Sequence, residues 1–247
     1  KKFFYISLGG SLNTDAGLGL LQSLGVRFEF KKKFKNRDIL TGKDLAYVDK
    51  IFIDKKLKNK FKKIKVYLLA DSSVYPTGKY GQSYVFGNQK KMKYYQIKDQ
   101  DKYIENFCNL LYLKKKHYHK KYLGAGGAIG VAINAIFKTK IFNGSEFFFK
   151  ALMLNKKITK KVDILISTEG KFDKTSFYGK GFEYIKNYCL KYKIRFYFIV
   201  GKATINYRHP LVKIINLRNR VLNKVLFRKK FLKNVDNLIS KYDQKAH

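Results

Sequence analysis

Cysteine is scarce in this chain: Cys108 and Cys189 are the only two in 247 residues. Two cysteines exclude a disulfide scaffold and fit a reducing, cytoplasmic compartment. No Cys-x-x-Cys pair or Cys/His ligand spacing occurs, so a structural zinc site is not expected. Long apolar runs are missing as well. The longest mid-chain stretch free of Lys and Arg, residues 122–137, is glycine-rich and contains Asn134, whereas a membrane span needs ~20 mostly apolar residues. Neither a membrane partner nor a signal peptide is expected. The chain opens Lys1-Lys2 and enters an apolar run at once, without Met; an internal or partial start is the expectation.

Acidic residues and arginine are the other shortages. The 54 Lys+Arg face 17 Asp+Glu, a net charge of +37. Only seven of the cations are Arg, the side chain suited to bidentate phosphate and base-edge contacts. Alanine is rare at ten residues, while Lys, Phe, Tyr, Ile and Asn abound. Codon drift in an A/T-rich genome would leave this pattern; a functional basic surface that binds polyanions is the other reading. The 45% hydrophobic content excludes a disordered chain.

Under drift, windows without Lys or Arg mark places that refuse them, and there are four main ones: residues 3–26, 66–78, 122–137 and 162–170. Core strands refuse charge because an unpaired buried ion is costly. These windows also hold Gly, Ser, Thr, Asn and isolated acids, which a plain core does not need.

The first window reads as a strand over 3–8, a turn Gly9-Gly10-Ser11-Leu12-Asn13-Thr14-Asp15-Ala16-Gly17, and a helix carried by Leu18, Leu20, Leu21 and Leu24 that stops at Gly25. Such a turn offers backbone N–H groups to an anion; the plain alternative is a tight turn with Ser or Asp as helix cap. The second window is a strand over 66–69 ending in Ala70-Asp71-Ser72-Ser73. A carboxylate at a strand's C-terminal end is where open α/β sheets place ligands, and an Asx-turn is the alternative. A glycine-spaced run follows, with Gly78, Gly81, Ser83, Phe86, Gly87, Gln89 and Lys90. The third, Gly124-Ala125-Gly126-Gly127-Ala128-Ile129-Gly130, precedes an apolar helix over 131–137. It matches neither a Walker loop nor the dinucleotide fingerprint. The fourth is a strand over 162–166, then a polar loop Ser167-Thr168-Glu169-Gly170-Lys171-Phe172-Asp173, then Thr175, Ser176, Gly179 and Lys180. A helix over 182–190 and a strand over 196–200 complete a β–loop–α–β unit. Its carboxylates, Lys and hydroxyls suit phosphate or Mg²⁺; a capped helix start with surface charges is the alternative. No Gly-x-x-x-x-Gly-Lys-Ser/Thr occurs, which excludes a P-loop kinase.

Taken in this order, the four segments resemble the glycerate kinase family, the two-domain kind unrelated to P-loop kinases. The family's Gly-Gly-Ser-Ala-Thr-Asn-Asp-Gly-Gly stands here as residues 9–17 with Asn and Thr exchanged. Its Asp-Val-Asp-Asn-Pro-Leu-x-Gly and Gly-Ala-x-x-x-Phe-Gly-Pro-Gln-Lys are similar to residues 71–78 and 81–90. There Asp71, Phe86, Gly87, Gln89 and Lys90 are kept, while Ser73 and Val74 replace Asp and Asn. Gly124 to Gly130 resembles Gly-Ala-Ala-Gly-Gly-Leu-Gly, and residues 167–180 resemble Thr-Gly-Glu-Gly-Arg-x-Asp with its following Gln-Thr and Gly-Lys. The family's first third, with an Asp-Ser-Phe-Lys-Gly-type opening, has no counterpart here.

The resemblance implies an α/β fold of two α/β domains: an inserted mixed α/β domain over residues 1–155, and over 156–247 the C-terminal half of a Rossmann-like parallel-sheet domain. That half is expected to expose a sheet edge. The implied reaction is ATP-dependent phosphorylation of D-glycerate with Mg²⁺. Asp71, then Asp15, are the candidates for the catalytic carboxylate. Gly9, Gly10, Ser11, Lys90, Gly124, Gly126, Gly127 and Lys180 are candidates for substrate or phosphate, and Glu169 and Asp173 for Mg²⁺. D-glycerate and ATP are the expected partners, without specific nucleic acid; self-association stays open. The rivals are a degenerate, non-catalytic relative and a basic nucleic-acid-binding protein. His117 and His119, within a Lys-rich segment, read as a solvated basic loop.

Overall fold

A computed structural model describes residues 3–32, 34, 38–112, 114–151, 162–217, 232, 233, 236, 237 and 240. The elements of its larger unit follow the order β1 (Phe3–Leu8), α1 (Leu18–Ser23), β2 (Arg27–Phe30), β3 (Val48–Phe52), α2 (Lys55–Lys62), β4 (Lys65–Ala70), α3 (Gln82–Phe86), α4 (Tyr94–Leu111), α5 (Ile129–Ile136), β5 (Lys138–Asn143) and α6 (Gly144–Ala151). This unit comprises Lys1–Leu154 with Phe177–Tyr184; the other comprises Asn155–Ser176 with Ile185–His247. The boundary expected between 155 and 156 lies outside the described residues.

Period-two alternation gives β1, β4 and β5 one face for the core. They form a parallel sheet in the order β1-β4-β5, with Leu8 opposite Ala70 and Ala70 opposite Asn143. Leu8, Val66, Leu68 and Ala70 bury this face against Leu18 and Leu21 of α1, Ile104 and Phe107 of α4, and Val131 and Ile136 of α5. Each such large apolar side chain contributes roughly 1.5–3 kcal/mol. The other face carries aromatics: Tyr5 stacks on Tyr67 at 5.0 Å, and Phe147 of α6 lies 5.5 Å from Tyr5. The strand over 3–8, the helix before Gly25 and the strand ending at Ala70 stand as read from the sequence. Gly25 takes φ +87°, and Val26 N–H donates to the Leu21 carbonyl, which closes the end of α1.

The second unit holds β6 (Ile164–Phe172), most of α7 (Gly181–Tyr192), β7 (Arg195–Ala203) and β8 (Val212–Asn216), with a parallel sheet in the order β6-β7-β8. Here one expectation is corrected. Residues 167–172 are strand rather than loop, because Ser167, Thr168, Glu169, Lys171 and Phe172 keep register with β7 out to Ala203. Phe172 is buried and packs edge-on to Phe198 at 5.7 Å. A polar run can continue a strand at a sheet's edge, where alternate side chains meet water. Among the described residues, β6 pairs only with β7.

The architecture is mixed α/β with parallel sheets. Among the described residues no helix is long and apolar enough to cross a membrane. Cys108 and Cys189 are buried free thiols whose acidity burial suppresses, Cys189 being pushed up to about 12. The basic segment around residue 118 also departs from expectation. Tyr118 is fully buried with its hydroxyl donating to Asn109, and His119 stacks on Tyr75 at 4.7 Å with Nε2 3.2 Å from the Thr77 carbonyl. Only the lysines and His117 of that segment are solvated.

Candidate active site

The C-terminal ends of three parallel strands converge on one place. Beyond Leu8 the first motif begins, and beyond Ala70 stands Asp71, whose N–H donates 3.0 Å to the Leu8 carbonyl and extends the ladder by one bond. That register puts Asp71 beside Gly9: a Cβ on Gly9 would lie 2.7 Å from Asp71 Oδ2. The missing side chain is what admits the carboxylate. At the end of β5, Asn143 accepts from Glu146 N–H and so starts α6, while its Nδ2 donates 3.1 Å to the Gly179 carbonyl. The segment that carries Lys180 is held further by Ser73 N–H, which donates to the Tyr178 carbonyl at 2.6 Å.

These ends enclose a cavity of about 250 Å³ lined by Gly10, Ser11, Leu12, Asp71, Ser72, Phe86, Gln89, Lys90, Gly126, Gly127 and Lys180. Residues from all the glycine-rich motifs of this unit, distant in sequence, thus share one wall. Burial pushes the Asp71 carboxyl above its ordinary range, while the Ser72 hydroxyl, the Lys180 charge and the Gly10 N–H pull it back. Lys180 Nζ lies 5.7 Å from the centre of the Phe86 ring. Lys90 Nζ donates to the Asn13 carbonyl at 2.6 Å and to Thr14 Oγ1 at 2.9 Å. Burial holds its ammonium down to about 8, with Asp15 working the other way.

The third motif shapes the floor. Gly126 and Gly127 have φ +60° and +73°, and Ala16 N–H donates 3.0 Å to the Gly127 carbonyl. A Cβ on Gly127 would overlap the Asn13 carbonyl. Gly124 packs where a Cβ would overlap the Tyr75 carbonyl and does not line the cavity. Its part is close packing.

Asp15 also stands apart from the cavity. It is 5% exposed, and its two oxygens accept from Gly17 N–H at 3.0 Å and Gly19 N–H at 3.2 Å. Its side chain holds the turn that leads into α1. Asn at this position retains one acceptor and turns an amide toward the other N–H. Asp15→Asn is therefore expected to cost about 1–2 kcal/mol in urea denaturation, the range for losing one buried hydrogen-bond partner.

Glu169 and Asp173 belong to the second unit. Asp173 Oδ2 pairs with Lys171 Nζ at 2.8 Å, and Oδ1 accepts from Thr175 N–H and Oγ1 at 2.8 and 2.6 Å. Burial pushes its carboxyl up, but Lys171 and Thr175 outweigh burial and hold it below its ordinary range. Ser176 Oγ lies 3.5 Å from Glu169 Oε2. Among the described residues no group of three or more His, Cys, Asp or Glu is arranged to hold a metal ion.

Sequence reasoning missed Asn143, which follows a Lys-rich strand and precedes Gly144; the Asn-Gly pair signals a turn but not a tether for Lys180. It also missed Gln100, whose Nε2 donates 2.6 Å to the Thr14 carbonyl. Nothing in the surrounding helix pattern marks that residue.

A carboxylate at the end of a parallel strand, with Lys90 and Lys180 lining the same cavity and no P-loop, is what this α/β unit presents. The model of the glycerate kinase family matches residues 1–246, and the chain belongs to that family. It is 30% identical over 186 residues to the glycerate kinase of Bacillus cereus (strain ATCC 10987 / NRS 248), covering 71% of this chain and 45% of that protein. Against the glycerate 2-kinase of Escherichia coli (strain K12) it is 27% identical over 202 residues, covering 81% and 52%. The chain spans about half the length of the curated relatives it matches. A crystal structure of a protein assigned as glycerate kinase 2 from Salmonella typhimurium LT2 superposes with a TM-score of 0.62 at 24% identity, over 98% of this chain and 66% of that one. That likeness speaks to the fold.

Proposed function

We propose that this chain serves the ATP-dependent phosphorylation of D-glycerate, with the cavity at the ends of β1 and β4 as the place where the hydroxyl is phosphorylated. The observation that carries the reading is Asp71, a half-buried carboxylate in a small cavity that also holds Lys90 and Lys180. Phosphoryl transfer asks little covalent chemistry of the protein; it needs alignment and neutralised charge. Asp71 would accept the proton of the attacking hydroxyl, its raised basicity supporting that part. Lys180, the cation whose field reaches Asp71, would neutralise the transferred phosphoryl group. Ser11 Oγ accepts from Asn13 N–H, and its own O–H would donate to the bound anion. Gly10 lines the same cavity, and its N–H favours the charged form of Asp71.

The donor set fits Mg²⁺ only as an ion carried by phosphate oxygens and water, which is how Mg²⁺ is usually held. Asp173 fits poorly, with both oxygens committed to Lys171 and Thr175; Glu169 is the carboxylate retained for it. When bound, Mg²⁺ would supply charge neutralisation on the nucleotide phosphates. Residues 156–247 would be the C-terminal half of a Rossmann-like domain. Incubation with ATP and D-glycerate, followed by ³¹P NMR, is expected to give a phosphomonoester signal that requires both compounds. Salt-sensitive DNA binding with no such product would favour the polyanion reading instead.

A further inference from the structure

Lys90 follows α3, yet the first motif fixes its ammonium. Nζ donates to the Asn13 carbonyl and to Thr14 Oγ1, and Gln100 of α4 holds the same segment through the Thr14 carbonyl. An ammonium has three donors. Two are used among the described residues, which leaves one for a ligand in the cavity that Lys90 lines. The charged groups around it are Asp15, which acts on it from the start of α1, and Asp71 and Lys180, which line the same cavity.

The two lysines differ in the acid each answers to. Lys180 acts on Asp71, whereas the acid acting on Lys90 is Asp15. A hydroxy acid whose hydroxyl meets Asp71 carries its carboxylate only a few bonds away. The cation next to Asp71 serves the hydroxyl and the phosphoryl group, which leaves Lys90 for the carboxylate. We propose that Lys90 is the receptor for the substrate carboxylate and that its Nζ takes up a proton from solvent as that carboxylate binds. This rests on the glycerate reading above.

The proton inventory follows from the position. Burial holds the ammonium down to about 8, and a carboxylate placed against it favours the charged form again. In the empty site the charge is mostly present at pH 7 and mostly absent at pH 9. Substrate binding at high pH therefore requires that a proton move from buffer to Nζ, and affinity falls up to about tenfold per pH unit above 8.

Isothermal titration of D-glycerate into the protein, in buffers of differing ionisation enthalpy, reads this directly. The expected uptake is about 0.1 proton per ligand at pH 7, rising to about 0.9 at pH 9. Lys90→Arg should bind with no uptake at either pH, because a guanidinium stays protonated. Asp15→Asn should move the rise to lower pH by removing the charge that supports the ammonium. Uptake that does not change with pH, or that persists in Lys90→Arg, would overturn the assignment while leaving the glycerate reading intact. Absence of both glycerate binding and turnover at every pH would overturn the glycerate reading and this assignment with it. Lys90→Met should lose at least tenfold in affinity and all pH dependence; if it does not fold, the wild-type inventory and Lys90→Arg decide alone.

Discussion

Asp71→Asn is expected to lower turnover of D-glycerate by about 10²–10⁴-fold, the span associated with a positioned general base. The amide keeps the shape of the carboxylate and its place beside Gly9 but cannot accept the hydroxyl proton. Wild-type turnover should fall on acidification through a value above the ordinary carboxylate range, because burial raises the Asp71 carboxyl; the residual activity of the variant should not show that limb. Stability should move the other way. A carboxylate whose folded pKa exceeds its unfolded one favours the folded state below the unfolded value, and this contribution is lost as pH rises through the folded value. At neutral pH the buried charge is a net cost, so Asp71→Asn should unfold at the same or higher urea concentration than wild type. A variant that loses activity by misfolding would instead unfold earlier, so the two measurements together separate chemistry from structure.

The second large effect concerns the floor of the cavity. Gly127→Ala is expected to destabilise the protein by at least about 3 kcal/mol, since it combines backbone strain with overlap. Gly127 lies at φ +73°, and its Cβ would overlap the Asn13 carbonyl, the group that holds Lys90. Gly25 provides the comparison: φ is +87°, but a Cβ there would meet nothing within 4 Å. Gly25→Ala should therefore show only the left-handed cost of about 1–2 kcal/mol. Urea denaturation of the two variants checks this, and equal losses would mean that the contact between the first and third motifs contributes little. Gly127→Ala should also weaken glycerate binding, because the Asn13 segment must move.

Much of this was legible because lysine, abundant elsewhere in the chain, is missing from the segments that the fold keeps free of it. The absence of Lys from residues 3–26 and 66–78 marked two strands whose C-terminal ends do meet, and Asp71 at the end of the second does line the cavity. Local pattern reads pleat, turn and helix stop well, since these depend on near neighbours. It failed where long-range partners decide. Asp15 and Asp71 looked alike as acids near glycine turns, but only the fold reveals that both Asp15 oxygens are taken by the start of α1. Lys90 reaching back to Asn13 and Thr14, and Asn143 holding Gly179, leave no periodicity to read. The polar run from Ser167 looked like a loop because its side chains are hydrophilic, whereas its backbone pairs with β7 regardless. His119 looked solvated from its lysine neighbours, yet a ring can turn inward from a basic segment and stack.

Apart from Lys90 and Lys180, the high net charge enters none of these contacts. It foresees salt-sensitive adhesion to polyanions, a property of the surface rather than of the cavity. Whether the Asp71 cavity passes a phosphoryl group to D-glycerate is read without intermediaries by following ³²P from γ-labelled ATP. Label should enter phosphoglycerate with the wild-type protein and fall by about two orders of magnitude or more with Asp71→Asn. Equal labelling by both proteins would contradict a catalytic part for that carboxylate.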